Sequence, residues 1–323
     1  MSLIDTFAIH VVPRMYRGKG TLHPSETGRL MDRVSCVREY DINIFFIRRG
    51  ETLIAIDAGY KDHSGLQPGC RKIGVDPADV QALFLTHADP DHAGGLDIHQ
   101  ENPFKNAQVW LGEIEENYLT NTYHRKKIGP FGLKNSVTIK EGYHLLADGE
   151  AVQVGDIRVQ ALLVPGHTLG HLCYLIDGDM LFTGDAIALN RDGGWCFFDI
   201  FNYDSRLNQA SLAAMKERLN LKEIQYVFTS HDGFTGDAAS AFKHVDVISN
   251  LKEKGFLFDP DAPYVIVLDT QYHPVDLSVF RHFNAFISSG NEGVTTVTTV
   301  TTYTIPRQAI TVVIYHGLSM AML

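Results

Sequence analysis

Residues 86–96 read Thr-His-Ala-Asp-Pro-Asp-His-Ala-Gly-Gly-Leu, and this stretch decides the fold of the chain. It follows an apolar run over residues 80–85, which predicts a short buried strand. A loop at the end of such a strand is a common place for functional side chains. Two imidazoles and two carboxylates fall within six consecutive positions of this loop, from His87, Asp89, Asp91 and His92. The stretch therefore predicts a site at which four ligand-type side chains converge.

The alternative for this stretch is an acidic surface turn that happens to contain histidines, with Pro90 and the two glycines as ordinary turn residues. Three later segments argue against it, because each places a histidine or an aspartate directly after another apolar, strand-like run. These residues are His167, Asp185 and His231. Four strand ends that each offer imidazole or carboxylate predict a metal site at one edge of a sandwich.

With these residues in place, the chain resembles the metallo-β-lactamase-fold hydrolase superfamily. The signature of that family is a His-x-His-x-Asp-His loop, followed by a single His, a single Asp and a last His, each closing a strand. The chain departs from this signature at Asp89, where the second histidine is a carboxylate, so its loop is a His-x-Asp-x-Asp-His variant. The resemblance spans roughly residues 40 to 235 and implies an α/β fold, a four-layer αββα sandwich of the metallo-β-lactamase type. It matches at His87, Asp91, His92, His167, Asp185 and His231.

The same resemblance implies two divalent metal ions and a binuclear metallohydrolase. One ion would be held by His87, Asp89 and His167, and the other by Asp91, His92 and His231, with Asp185 as a bridge between them. Two such ions share a water and lower its pKa toward about 7, which supplies a metal-bridging hydroxide. Asp91 would also aim this hydroxide, so Asp91 and Asp185 are the expected catalytic residues. The expected substrate is a small ester, lactone or thioester-like molecule.

Asp89 is the residue on which an alternative enzymatic function depends. A carboxylate in place of imidazole adds a hard oxygen donor, which shifts the expected metal from zinc toward iron or manganese. The flavodiiron branch of this fold also carries a carboxylate here, so the alternative is a dinuclear iron oxidoreductase that reduces oxygen or nitric oxide with a separate reductase. Against it, the residues after 255 show no Gly-rich phosphate loop for a fused flavin domain. A degenerate site that keeps one structural metal is disfavoured, because six ligands match the family.

Alternating apolar segments predict a strand pair over residues 43–58 and further hairpins that end near His167 and Asp185. Helical spacing predicts helices over 205–219 and 238–254. Family members often carry a pocket-shaping insertion near residues 113–140, which makes four aromatic residues candidates for substrate contacts. Aromatic packing beneath a long loop is the alternative interpretation. The four candidates are Tyr118, Tyr123, His124 and Phe131.

Composition limits the partners. The chain has 323 residues, of which 45% are hydrophobic, and a net charge of −10, which argues against a nucleic-acid binder. Its one short basic run, Arg125-Lys126-Lys127, predicts a solvated face. Neither a signal peptide nor a membrane-length apolar run is visible, so we expect a cytoplasmic protein without membrane contact. We predict one metallo-β-lactamase-fold domain over residues 1–290 and a Thr/Val-rich tail over residues 291–323.

Overall fold

The computed structural model describes residues 23–128, 131–199 and 201–246, with short backbone strands between 288 and 322. A seven-stranded sheet opens the fold, in the order β1-β2-β3-β4-β5-β6-β9. Strands β3 and β4 form the predicted hairpin, whereas β4, β5, β6 and β9 run parallel. The strands are β1 Gly28–Arg29, β2 Val34–Glu39, β3 Ile42–Arg49, β4 Thr52–Ile56, β5 Ala82–Phe84, β6 Gln108–Gly112 and β9 His144–Leu146.

A six-stranded sheet forms the second half, in the order β10-β11-β12-β13-β16-β17. Its strands are β10 Ala151–Val154, β11 Ile157–Leu163, β12 Leu172–Ile176, β13 Met180–Phe182, β16 Tyr226–Phe228 and β17 Phe234–Thr235. Two small ribbons lie outside the large sheets. One pairs β7 Arg125–Ile128 with β8 Phe131–Leu133, and the other pairs β14 Ile187–Asn190 with β15 Gly193–Cys196.

Three apolar clusters show how the layers stack. The inner cluster joins the two sheets, with Phe45 and Phe84 from the first and Tyr174 and Phe182 from the second. Helix α1 packs on the outer face of the first sheet, and α4 packs on the outer face of the second. The predicted αββα sandwich is therefore confirmed. The helices are α1 Leu66–Ile73, α2 Pro90–Ala93, α3 Glu116–Leu119, α4 Ser205–Arg218 and α5 Ala238–Ala241.

The two helices predicted after residue 200 differ in outcome. The first is confirmed by α4, which begins after Asp204. The side chain of Asp204 accepts the first-turn N–H groups of Arg206 and Leu207 and so caps the helix. The second is confirmed over Ala238–Ala241 and wrong over residues 242–246. The N–H of His244 donates to the carbonyl of Gly194 in β15 instead of continuing the helix, at 2.9 Å. Residues 247–254 of the predicted helix lie outside the described residues.

The proposed division of the chain at residue 290 stays a prediction. Beyond residue 287, the described backbone consists of a pair, Ser288–Ser289 with Thr295–Thr296, and a three-stranded antiparallel unit. That unit contains Thr301–Ile305, Gln308–Ile314 and Ala321–Met322.

In the described part of the chain, no helix combines the length and the apolar character needed to span a bilayer.

A buried carboxylate, Glu39, ties the end of β2 to the segment that enters α1. It accepts backbone N–H groups from Tyr60 at 2.7 Å, from Gly65 at 3.0 Å and from Leu66 at 3.1 Å. Its side chain is fully buried. Burial raises the pKa of Glu39 from 4.5 to about 7, although the three N–H donors oppose this shift.

Replacing Glu39 by Gln should change how stability depends on pH. Because the folded-state pKa of Glu39 is raised to about 7, Glu39 makes its full contribution to the free energy of unfolding below pH 4.5. This contribution is lost as the pH rises to about 7. The free energy of unfolding of the wild type relative to Glu39→Gln should therefore fall by about 2.5 kcal/mol between pH 5 and pH 8. Urea unfolding at both pH values measures this difference. The exposed Glu51→Gln variant controls for the loss of a carboxylate, and a pH-independent difference for Glu39→Gln would contradict the shift.

Candidate metal centre

The candidate ligands lie on loops that leave both sheets at one edge. Strands β4 and β5 are parallel and pair Ile56 with Phe84, so the loop with His87 leaves beside Asp57. Strands β13 and β16 are also parallel, which brings the loops that carry Asp185 and His231 to one edge of the second sheet. His167 follows β11. The four predicted strand ends therefore meet as the sequence indicated.

Within the first loop, Asp89 precedes helix α2 in an extended conformation, with φ −64° and ψ 151°. Pro90 is the first residue of the helix, where the missing N–H has no consequence. Asp91 and His92 therefore lie on the first turn of α2, while Asp89 lies outside it. This change of backbone direction sends the side chains of Asp89 and Asp91 to two different groups of ligands.

The first group surrounds His167. Its Nε2 lies 3.1 Å from Nε2 of His87, 3.2 Å from Oδ2 of Asp89 and 3.4 Å from Oδ2 of Asp185. One ligand atom from each of His87, His167 and Asp185 lies within 4.8 Å of the others. This is the spacing of atoms that can share one metal ion.

The second group surrounds His231 and His92. Nε2 of His231 lies 3.4 Å from Oδ2 of Asp91 and 3.3 Å from Oδ2 of Asp185. Nε2 of His92 lies 3.6 Å from Oδ2 of Asp91 and 3.4 Å from Oδ1 of Asp185. Asp185 therefore contacts both groups, as a bridging carboxylate would. The structure brings all seven predicted ligands together, and their binding of metal stays a prediction.

Two buried polar atoms indicate that the site fits a cation. Nε2 of His92 and Oδ1 of Asp185 are buried without a hydrogen-bond partner. Buried polar atoms without partners are costly, and a shared metal ion would satisfy both. Burial lowers the pKa of His92, but the carboxylates of Asp185, Asp91 and Asp57 outweigh it and raise that pKa well above the ordinary value. The site is thus strongly negative, and its imidazole and carboxylate donors suit a divalent transition metal.

Asp57 fixes the ring of His92 from behind. Its Oδ2 accepts a hydrogen bond from Nδ1 of His92 at 2.8 Å, and its Oδ1 accepts the N–H of Thr86 at 2.8 Å. The backbone of Asp57 is left-handed, with φ 61°. A carboxylate behind an imidazole fixes its tautomer and raises its basicity, so Nε2 stays directed at the centre.

The other histidines are held in the same manner. Nδ1 of His231 donates to the carbonyl of Asp41 at 2.8 Å, and Nδ1 of His167 lies 3.3 Å from Oδ1 of Asn202. A further buried histidine, His171, accepts the N–H of Asp185 at its Nε2, at 3.0 Å. His171 therefore positions the backbone of the bridging residue.

Arg125 corrects the prediction of a solvated basic face. Its Nη2 lies 3.1 Å from Oδ2 of Asp89, and its side chain is only 16% exposed. The additional, partly buried carboxylate at Asp89 attracts this cation into the site. Burial and then the charge of Arg125 lower the pKa of His167 to about 4. The only sequence signal was Asp89 itself, since an extra anion in an acidic loop needs a counter-charge.

Sequence reasoning also missed Glu115, which is fully buried. Its Oε1 accepts the N–H of Ala88 at 2.9 Å, and its Oε2 accepts the hydroxyl of Thr168 at 2.7 Å. Glu115 therefore fastens the loop of His87 to the loop of His167. No local pattern distinguishes it from the acidic residues beside it.

The aromatic candidates for substrate contacts differ in burial and in packing. Tyr118 is buried, and its hydroxyl accepts the N–H of Leu169 at 3.2 Å, which favours the packing interpretation. Tyr123 is 37% exposed and packs edge-on against Tyr118. The side chain of Phe131 lies outside the described residues. Phe197, which the sequence did not indicate, packs edge-on against His167 with ring centroids 5.1 Å apart and also contacts His231.

A comparison with solved structures supports the fold. A B3 metallo-beta-lactamase with an active-site glutamic acid superposes with a TM-score of 0.50 and 17% sequence identity. The superposition covers 70% of this chain and 88% of that protein. At this level of identity the likeness concerns the fold alone.

Comparisons of sequence give the family. The probable metallo-hydrolase YqgX of Bacillus subtilis is 27% identical over 146 residues, which are 45% of this chain and 65% of that protein. A hydroxyacylglutathione hydrolase of Acaryochloris marina is 24% identical over 229 residues, which are 67% of this chain and 78% of that protein. The chain spans between 38% and 65% of the length of the first curated relatives it matches. Because the model of the metallo-beta-lactamase superfamily matches residues 37–267, the chain belongs to that superfamily.

Proposed function

We propose that this chain is a binuclear metal-dependent hydrolase of small ester, lactone or thioester-like substrates. The observation that carries the proposal is the pair of three-residue ligand groups joined by Asp185, with Nε2 of His92 and Oδ1 of Asp185 buried without a hydrogen-bond partner and 3.4 Å apart. The first ion would be held by His87, Asp89, His167 and Asp185. The second would be held by Asp91, His92, His231 and Asp185.

The chemistry that two such ions supply when bound is the ionisation of a shared water near neutral pH and the polarisation of a substrate oxygen. The residues of the chain orient the reactants. Although burial raises the pKa of Asp91, the histidines His92 and His231 outweigh it and keep the pKa lowered. The ionised form of Asp91 is therefore favoured, and its carboxylate would accept a hydrogen bond from the attacking water and aim it. Phe197, packed against His167 and His231, keeps bulk water from that side.

The substrate class rests on the chemistry and on similarity. Hydroxide attack on an acyl carbon is the reaction for which a bridged pair of metal ions is well suited. The name of the Acaryochloris relative, hydroxyacylglutathione hydrolase, supports an acyl substrate. The imidazole-rich donors favour zinc, while the Asp89 carboxylate adds affinity for iron or manganese.

Asp89 is also the observation that favours the second candidate, a dinuclear iron oxidoreductase acting on oxygen or nitric oxide with a separate reductase. In the structure, however, Oδ2 of Asp89 accepts from Arg125 at 3.1 Å. A carboxylate shared with a guanidinium is a weaker donor to iron than one directed only at the metal. The hydrolase is therefore the better-supported function.

Elemental analysis and activity assays on the same preparation test both candidates. The chain is purified without added metal, its visible spectrum is recorded, and lactones, thioesters and phosphodiesters are assayed before and after saturation with zinc or manganese. We expect up to two equivalents of metal and turnover of an acyl substrate that a chelator removes. Two equivalents of iron, with oxygen or nitric oxide consumption and no hydrolysis, would favour the oxidoreductase. A chain that binds no metal would contradict both.

A further inference from the structure

Arg125 approaches atoms that belong to the first ligand group. Its Nη2 lies 3.1 Å from Oδ2 of Asp89 and 3.3 Å from Nε2 of His167, and these two acceptor atoms are 3.2 Å apart. The three atoms form a close triangle. A guanidinium nitrogen therefore occupies the space beside two atoms that would ligate the first ion.

The guanidinium is held in this place by the backbone. Arg125 donates to the carbonyl of His167, and its Nη2 lies 2.5 Å from the carbonyl oxygen of Phe201. The side chain is 16% exposed, and an arginine stays protonated under any condition in which a protein is folded. The positive charge is therefore fixed to the loop that carries His167.

The second ligand group has a different environment. Nδ1 of His92 contacts Asp57, and Nδ1 of His231 contacts the carbonyl of Asp41. Among the ion pairs within the described ranges, those of the second group join its histidines to aspartates, and none joins Asp91 to a lysine or an arginine. Within the described ranges, no lysine or arginine therefore offsets the negative charge of this group, whereas Arg125 offsets part of the negative charge of the first group.

We infer that Arg125 is a resident counter-charge at the first ligand group, so that the two metal ions bind with unequal affinity and the Asp91, His92 and His231 group fills first. This inference rests on the proposed two-metal function. A metal ion at the first group must share Oδ2 of Asp89 with the guanidinium and must bind next to its positive charge. At the second group, no lysine or arginine shares a ligand atom with the metal ion within the described structure.

The chain also compensates for part of this repulsion. For a metal ion a few ångströms away, the negative charge of Asp89 cancels much of the electrostatic repulsion from Arg125. The net effect of removing the guanidinium is therefore modest, a gain of about tenfold in affinity at the first group. Asp89 and Arg125 thus act as a pair, and the departure from histidine at position 89 is matched by a cation at position 125.

The test is a zinc titration with a competing chelator, followed by calorimetry. The wild type should show one tight and one weaker equivalent, and Arg125→Ala should strengthen only the weaker one, by about tenfold. Arg125→Lys retains a positive charge and should retain the separation. Arg218→Ala is the matched control, because Arg218 forms an exposed bidentate pair with Asp148, and neither residue is a candidate ligand. Equal strengthening in Arg125→Lys and Arg125→Ala would overturn the role of the charge.

Anomalous diffraction from wild-type crystals that carry one equivalent of zinc locates the tight site without any variant. We expect the signal between His92 and His231. A signal between His87 and His167, or equal signals at both places, would overturn the inference and leave the two-metal hydrolase standing. A chain that binds zinc at neither place would overturn the proposed function together with the inference.

Discussion

The Asp185→Asn chain is expected to lose at least about 1,000-fold in kcat on any acyl substrate that the wild type hydrolyses. Asp185 contacts both ligand groups, with Oδ2 3.4 Å from Nε2 of His167 and Oδ1 3.4 Å from Nε2 of His92. An amide supplies only one neutral oxygen, so it cannot serve two metal ions with two anionic oxygens. Initial rates and metal content, measured on the same sample, test this expectation.

The control for Asp185→Asn is Asp192→Asn, which removes an exposed carboxylate from the turn between β14 and β15. The backbone at Asp185 should keep its place in the variant, because its N–H donates to His171 independently of the side chain. Normal turnover by Asp185→Asn with full metal content would contradict a mechanism that needs the bridge. Lost turnover with two retained metal ions would place the defect in the chemistry itself.

The Asp57→Asn chain is expected to bind metal at the second ligand group about 10- to 100-fold more weakly. Asp57 is the anionic partner of Nδ1 of His92, at 2.8 Å, and the change removes its charge while keeping its shape. Asparagine tolerates the left-handed backbone at this position, where φ is 61°, so the substitution adds little strain. Competition between the protein and a chelator measures the change in affinity. At limiting zinc, activity should fall, and excess zinc should restore it.

Asp177→Asn is the matched control for Asp57→Asn. Asp177 is also an aspartate with a left-handed backbone, with φ 51°, but it lies in the turn between β12 and β13 and pairs with Arg33. Its substitution should leave zinc affinity unchanged. An unchanged affinity in Asp57→Asn as well would contradict the role of Asp57 in holding His92.

The roles of Glu115 and Arg125 beside the candidate ligands could not be predicted from the sequence. Both residues stand in a stretch without clear periodicity, next to other charged residues of the same sign. What distinguishes them is a contact with the loop of His87 or with Asp89, which only the folded chain provides. The helix predicted over 238–254 ended early for a related reason, because a backbone bond from His244 to Gly194 replaced a helical one.

By itself, the sequence determined the sandwich and the positions of the seven candidate ligands. Each ligand follows its own apolar strand or lies in one short loop, so local pattern and spacing were sufficient to place the ligands, whereas the sandwich was implied by the resemblance to the metallo-β-lactamase fold. The tertiary structure alone decided the charges around those ligands: Arg125 beside Asp89, Asp57 behind His92, and Glu115 between two loops. Hydrogen bonds and ion pairs act over a few ångströms, and chain packing, which leaves no periodic trace in the sequence, determines which charged residues come that close.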